Sequence, residues 1–257
     1  RDLHTAYRRQ RQMCIRDRCA DTVKKVSLEL GGNAPFIIFD DADIDAAAEG
    51  AITSKFRNAG QTCICANRIF VHENIYDTFL KKLVDKTEAL KIGNGMDEDT
   101  DLGPMINMDG LKKAEELLQD ALDNGAKLEC GGFRAKDKGD QFFAPTVITN
   151  VTSDMRIFKE EIFGPVAAVY KFSRTAEVVE MANDTPYGLA AYIYTNDLKR
   201  SWQVPEQLEY GMVGVNSSLL SLPQAPFGGV KHSGFGREGS KYGLDDYIHI
   251  KYLSVQI

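Results

Sequence analysis

Cys63 sits in a short polar loop between a helical pattern and a strand-like one, within Phe56-Arg57-Asn58-Ala59-Gly60-Gln61-Thr62-Cys63-Ile64-Cys65-Ala66-Asn67-Arg68. A thiol attacks as its thiolate, which is favoured by free N–H groups at a loop or helix terminus and by positive charge. Arg57 and Arg68 flank this one. That setting makes Cys63 the candidate nucleophile, since a structural cysteine more often lies inside an apolar run. Glu29 stands between Leu28 and Leu30, where desolvation raises a carboxyl pKa and suits it to abstracting a proton. Its plainer role is a salt-bridged carboxylate at a strand end. Glu160 and Glu161 are adjacent, and residue type alone leaves open which of them is functional, or whether neither is. The four histidines show no metal-ligand spacing, and no cysteine pairs with them as a zinc site requires.

Three segments, taken in order, resemble those of the aldehyde dehydrogenases. Val26-Ser27-Leu28-Glu29-Leu30-Gly31-Gly32-Asn33 is similar to the segment carrying that family's general base. Gly60-Gln61-Thr62-Cys63 is similar to its nucleophile segment, and Lys159-Glu160-Glu161-Ile162-Phe163-Gly164-Pro165 to the one that holds the nicotinamide ribose. The resemblance covers residues 19–257 and corresponds to the second half of such an enzyme. It implies NAD or NADP as cofactor, Cys63 as the thiol that adds to an aldehyde, and Glu29 as the base that activates water against the resulting thioester. It assigns Glu161 to the ribose hydroxyls, Phe163 to packing near the nicotinamide, and Leu30 to the cofactor contacts. The Cys63 N–H would stabilise the alkoxide in part. The family's second oxyanion donor and its phosphate-binding helix are expected outside this chain, and the fragment alone is expected to be inactive.

Within that family, Cys63-Ile64-Cys65 resembles the succinate-semialdehyde dehydrogenases, as does Arg57 together with Ser221 of Leu219-Leu220-Ser221. A guanidinium and a hydroxyl can hold a carboxylate by charge-assisted hydrogen bonds, although Arg57 could equally be a solvated arginine at a helix end. The implied reaction is NAD(P)-dependent oxidation of succinate semialdehyde to succinate through a cysteine thiohemiacetal and thioester, with another aldehyde as the alternative. Cys65 reads as a redox switch: if the loop is turned, it can resolve an oxidised, low-pKa Cys63 through a strained disulfide. Otherwise it packs as a small apolar residue.

Composition bounds these readings. The 257 residues, 43% hydrophobic and 26% charged, suffice for one or two globular domains. A net charge of -6 argues against nucleic acid or an anionic membrane as main partner. No apolar run approaches the ~20 residues of a membrane span. Five cysteines without framework spacing indicate a reducing compartment, and the cytoplasm is the expected location. The expected partners are a small aldehyde carrying a carboxylate and further copies of the chain.

The elements that must position these groups alternate between strand and helix, which predicts an α/β fold with a largely parallel sheet; the resemblance implies that this is an aldehyde dehydrogenase catalytic domain, lacking most of the N-terminal dinucleotide-binding domain. Strands are expected at 26–30, 35–39, 68–72, 127–130, 144–148, 166–172, 190–194 and 212–216. Helices are expected from Asp43 as cap to Phe56, around Ile75 to Leu90, and over 111–122, 176–183 and 198–208. Pro205 sits awkwardly in the last of these. Residues 93–109 read as a surface loop. The arginine-crowded residues 1–18 read as a foreign or disordered segment, 19–30 as a remnant of the cofactor domain, 31–232 as the catalytic domain, and 233–257 as a C-terminal connection and oligomerisation strand. Gly234-Phe235-Gly236-Arg237-Glu238-Gly239 matches the dinucleotide fingerprint, but no strand precedes it, so its glycines are expected to serve turns. Two rival classes remain open. One is a non-catalytic oligomerising fragment, whose alternating tail from Tyr247 to Ile257 would pair as an edge strand. The other is a cofactor-free cysteine hydrolase or acyltransferase, against which Glu161 and Phe163 count.

Overall fold

The computed structural model of the chain describes residues 14–257, so most of the arginine-crowded segment lies outside the described residues. A seven-stranded sheet forms the centre. Its strands are β2 (Ala34–Ile38), β3 (Ala66–His72), β4 (Lys127–Cys130), β5 (Thr146–Thr149), β6 (Val166–Phe172), β8 (Ala190–Tyr194) and β9 (Met212–Val215). Their spatial order is β4-β5-β6-β3-β2-β8-β9, parallel throughout except for the antiparallel pairing of β4 with β5. Every residue of β2, β5 and β8 is buried, which requires cover on both faces and explains why these strands read as continuous apolar runs.

The helices supply that cover, and their ends follow from their caps. α1 (Ile44–Phe56) starts where the Asp43 carboxylate accepts the Asp45 and Ala46 N–H groups. α2 (Tyr76–Glu88) buries Tyr76, Phe79, Leu83 and Thr87 on one stripe. α3 (Met108–Asp123) begins where the Asn107 side chain accepts the Gly110 N–H, and buries Leu111, Ala114, Leu117, Leu118 and Ala121. The short α4 (Arg156–Lys159), α5 (Thr175–Asn183) and α6 (Leu198–Gln207) follow later in the chain, and residues 14–20 are also helical but largely exposed. Among the described residues no helix is long and apolar enough to cross a membrane.

Three expectations need correction. The run 26–30 does not enter the central sheet. Only Leu28–Glu29 forms a strand, the half-buried β1, which pairs antiparallel with β11 (Gly234–Phe235). Pairing with Gly234–Phe235, and not local propensity, decides so short a segment. The loop 93–109 is not wholly surface either, since Leu102 and Met105 are in the core and Ile92 bridges Leu102. Helix α6 runs through Pro205 and ends at Gln207, so the proline costs it the one bond to the Ser201 carbonyl without ending it there.

The glycine-rich segment near the C-terminal end behaves as turns. Gly234, Gly236 and Gly239 all have positive φ, and only a 3-10 turn, Tyr242–Leu244, follows. β10 (Val230–Lys231) pairs with β7 (Tyr187–Gly188) beside it. The tail from 248 to 257 forms no strand within the chain and exposes Ile250, Tyr252, Leu253 and Val255.

Because Pro205 cannot donate to the Ser201 carbonyl, Pro205→Ala should stabilise the chain by about 1–3 kcal/mol. A urea midpoint unchanged or lowered by the substitution would show that the last turn has already adapted to proline.

Candidate active site at the amino ends of the sheet

β6, β3, β2 and β8 are parallel neighbours, so the loops that precede them emerge at one end of the sheet. Gly31-Gly32-Asn33 leads into β2, Thr62 to Cys65 into β3, and Glu160 to Pro165 into β6. The three segments singled out by residue type therefore meet, although they are far apart in the chain.

Gly31 and Gly32 are where they meet. A Cβ on Gly32 would lie 2.6 Å from the Cys63 carbonyl oxygen, and one on Gly31 would lie 2.5 Å from Glu161 Oε2. The Gly32 N–H donates to Glu161 Oε1 at 3.0 Å. Neither glycine has positive φ, so glycine is required here by close approach of the protein to itself and not by a special turn. Two residues earlier, the Glu29 side chain hydrogen-bonds the Cys63 thiol. Glu29 is held there by the β1–β11 pairing and by Ser233, whose backbone oxygen accepts the Leu30 N–H and whose hydroxyl donates to the Gly31 carbonyl. The structure also separates the adjacent glutamates: Glu160 pairs with Arg156 at 2.8 Å, while Glu161 turns to Gly32. Phe163, partly exposed beside it, has a φ of 52°.

The nucleophile loop owes its shape to residues with no reactive group. Asn58, Ala59 and Gly60 take successive left-handed φ values of 52°, 53° and 74°, a conformation costing about 1–2 kcal/mol for a residue with Cβ. Gln61 offsets it: its amide donates to the Asn58 carbonyl at 3.0 Å, and its Oε1 accepts the Ile106 N–H at 2.9 Å. Gly60 packs where a Cβ would be 2.3 Å from the Gly164 carbonyl oxygen, joining the Cys63 loop to the Phe163-Gly164-Pro165 loop. Neither the role of Gln61 nor that of Ser233 follows from their residue types, because their partners lie 45 and 202 residues away.

The electrostatics differ from the expectation of an arginine-activated thiolate. Arg68 is fully buried, with its guanidinium donating to the Asn33, Met181 and Ala182 carbonyls and to the Tyr210 hydroxyl, so it faces away from Cys63. Arg57 is exposed, and its charge acts on Tyr192, whose hydroxyl donates to the Ile64 carbonyl at 2.7 Å. Burial pushes the Cys63 thiol up to about 12, reinforced by its hydrogen bond and charge interaction with Glu29 and by the charge of Glu161. The bond to its own backbone N–H opposes this without prevailing. Cys63 is thus a protonated thiol with a base in contact.

Beneath the loop, Cys65 is buried, and its thiol donates to the Lys55 carbonyl at 3.3 Å. The loop is turned here, as the Cys65 N–H bonds the Thr62 carbonyl. Lys55 is itself fully buried, and its Nζ makes no well-aligned hydrogen bond. Its charge acts on Cys65 and Glu161, and burial holds its pKa below the usual lysine value. Leu30 is partly exposed beside the glycines, whereas Ser221 is exposed on the loop after β9.

Iodoacetamide labelling followed by peptide mapping checks the thiol. The Cys63 rate should climb by roughly tenfold per pH unit above pH 9 without levelling before about 12. Glu29→Gln should raise the rate at pH 9, because it removes the charge that opposes thiolate formation. A wild-type rate already level at pH 9 would show that Cys63 is not protonated by its surroundings.

Comparison with known proteins identifies the family. The sequence pattern of the aldehyde dehydrogenase family matches residues 10–253. The chain is 52% identical over 241 residues to the NADP(+) succinate-semialdehyde dehydrogenase GabD of Escherichia coli (strain K12), covering 94% of this chain and 50% of that protein. It is 56% identical to the 3-sulfolactaldehyde dehydrogenase of Pseudomonas putida, covering 91% of this chain and 48% of that one. The crystal structure of succinate-semialdehyde dehydrogenase from Burkholderia pseudomallei superposes with a TM-score of 0.94 at 56% identity, covering 96% of this chain and 51% of that chain. The chain spans about half the length of these relatives. It belongs to the aldehyde dehydrogenase family.

Proposed function

We propose that the chain carries the nucleophile, the base and part of the cofactor site of a nicotinamide-dependent semialdehyde dehydrogenase, with succinate semialdehyde as substrate. The observation that carries this reading is the meeting of Cys63, Glu29 and Glu161 around Gly31-Gly32. Glu161 fits a ribose diol, since a carboxylate can accept two hydroxyl protons. Phe163 and Leu30 supply partly exposed apolar surface beside it for a nicotinamide ring. The bound nicotinamide supplies a hydride acceptor, either NAD or NADP, and the Escherichia coli relative's name specifies NADP(+).

The chain's own residues then act as follows. Glu29, in contact with the thiol, takes the Cys63 proton as sulfur adds to the aldehyde carbon. The Cys63 N–H supports the alkoxide of the thiohemiacetal. After oxidation to the thioester, and once Glu29 has released the Cys63 proton to solvent, Glu29 takes a proton from water, whose oxygen attacks the acyl carbon; the C–S bond breaks, the acid departs, and the proton on Glu29 returns to the thiolate. Arg57 and Ser221 hold the distal anion of the substrate. Support for this comes from two relatives, whose printed substrates both carry an anionic group away from the aldehyde, a carboxylate in one and a sulfonate in the other. We assign Cys65 as the resolving thiol of a redox switch with Cys63, a role the turned loop permits and which requires Glu29 first to take the Cys63 proton, since the resting thiol is neutral and resists oxidation. The exposed apolar tail we assign to contact with another subunit.

The chain alone should show no saturable NAD(P) reduction, whereas the full-length protein should oxidise succinate semialdehyde and lose all turnover in Cys63→Ala. In that protein, Glu29→Gln should leave a rapid burst of reduced cofactor followed by slow turnover, and a steady rate equal to wild type would refute the base assignment. Arg57→Leu should cost about 2–5 kcal/mol in kcat/KM for succinate semialdehyde and little for an uncharged aldehyde of equal length. Equal losses on both would make Arg57 structural.

A further inference from the structure

Asn67 has no part in the chemistry above, yet its side chain is buried at 2% exposure in the second position of β3. Its carboxamide grips the backbone on both sides of Glu161. Nδ2 donates to the Glu160 carbonyl at 3.1 Å, and Oδ1 accepts the Ile162 N–H at 3.0 Å. The remaining Nδ2 proton goes to Asn33 Oδ1 at 2.6 Å, and Asn33 Nδ2 donates in turn to the Phe158 carbonyl at 2.9 Å. The Asn33 carbonyl is held by the Arg68 guanidinium. One side chain thus replaces the strand pairing that residues 160–162 lack, and it does so from the strand that begins three residues after Cys63.

We propose that Asn67 is the positioning residue for Glu161, fixing the carboxylate against Gly31-Gly32 at a set offset from the nucleophile and thereby setting cofactor affinity without touching the cofactor. This rests on the reading of Glu161 as a cofactor ligand. The grip is built for position more than for burial. An apolar residue of equal size would fill the same space, but it would leave the Glu160 carbonyl and the Ile162 N–H unpaired and free the backbone around Glu161 to shift. Because a misplaced carboxylate weakens cofactor binding before and during the reaction alike, the loss should fall on cofactor KM and not on kcat.

The test is a cycle in the full-length protein of Asn67→Ala, Glu161→Gln and the double variant. Cofactor Kd is read by fluorescence titration, with kcat, both KM values and thermal midpoints alongside. Asn67→Ala should raise cofactor Kd and KM by about tenfold while kcat and aldehyde KM move less than about threefold. The double variant should bind little worse than Glu161→Gln, because Asn67 acts through that carboxylate. Losses that multiply in the double variant, or a fall in kcat and both affinities together, would overturn the proposal and make Asn67 a packing residue. A Glu161→Gln variant that binds cofactor normally would instead sink the cofactor reading of Glu161, and the proposal with it. Should Asn67→Ala fail to fold, Asn67→Ser, which keeps one donor and one acceptor, is expected to show the same selective loss at smaller size, and a cofactor KM equal to wild type in that variant would count against the proposal.

Discussion

The backbone of Gly31-Gly32 is the constraint on which the site depends. The Cys63 carbonyl lies against one glycine and the Glu161 carboxylate against the other, each closer than a side chain of any size allows. Without that double contact the nucleophile loop and the loop before β6 would have to separate by the width of at least one methyl group. The rest of the local structure serves to keep the two loops pressed on that backbone: Gly60 on Gly164, Gln61 on Ile106, and the two asparagines between β2, β3 and the 158–162 segment. The parallel register of β6, β3 and β2 places the three loops at one level, so no long excursion of the chain is needed.

Charge at the site is arranged against ionising the thiol before substrate arrives. Two carboxylates and burial all favour the neutral sulfur, and the nearest arginine in sequence to have been counted for it, Arg68, spends all its hydrogen bonds on carbonyls and a phenol. A neutral thiol resists stray oxidation and alkylation, since the thiolate is the reactive form. The charge of the buried Lys55 reaches Glu161 from beneath the loop, and its own burial works against carrying it.

Much of this was legible in the sequence, and the limits have physical reasons. Strands of strictly apolar residues such as 190–194 and the cap at Asp43 announce themselves locally, because periodicity and capping are short-range properties. Cys63, Glu29 and Glu161 could be singled out by type and by the family their segments resemble. What a linear reading misses is direction and partnership. Arg68 looks like a flanking charge until its strand turns it into the core toward Met181 and Ala182, 113 and 114 residues away. Gln61, Asn67 and Ser233 carry no chemistry that would draw notice, and each matters only through a contact with a distant backbone group. The apolar run around Glu29 promised a strand over 26–30 and became a two-residue ladder, because tertiary pairing and not propensity decides such short segments.

That ladder has a consequence for how the molecule comes into being. Glu29 and Gly31 are held by Ser233 and Gly234, and the Ser233 hydroxyl and the Gly31 carbonyl are 202 residues apart. Contacts of such sequence separation carry a large loop-closure penalty and form late, after the local helices and neighbouring strands have assembled. During synthesis the carboxylate would therefore wait, unfixed, until the ribosome has delivered Ser233 and Gly234. The thiol and its proton acceptor would come into register only then, so that a nascent chain that has not yet reached Ser233 carries the cysteine without its base.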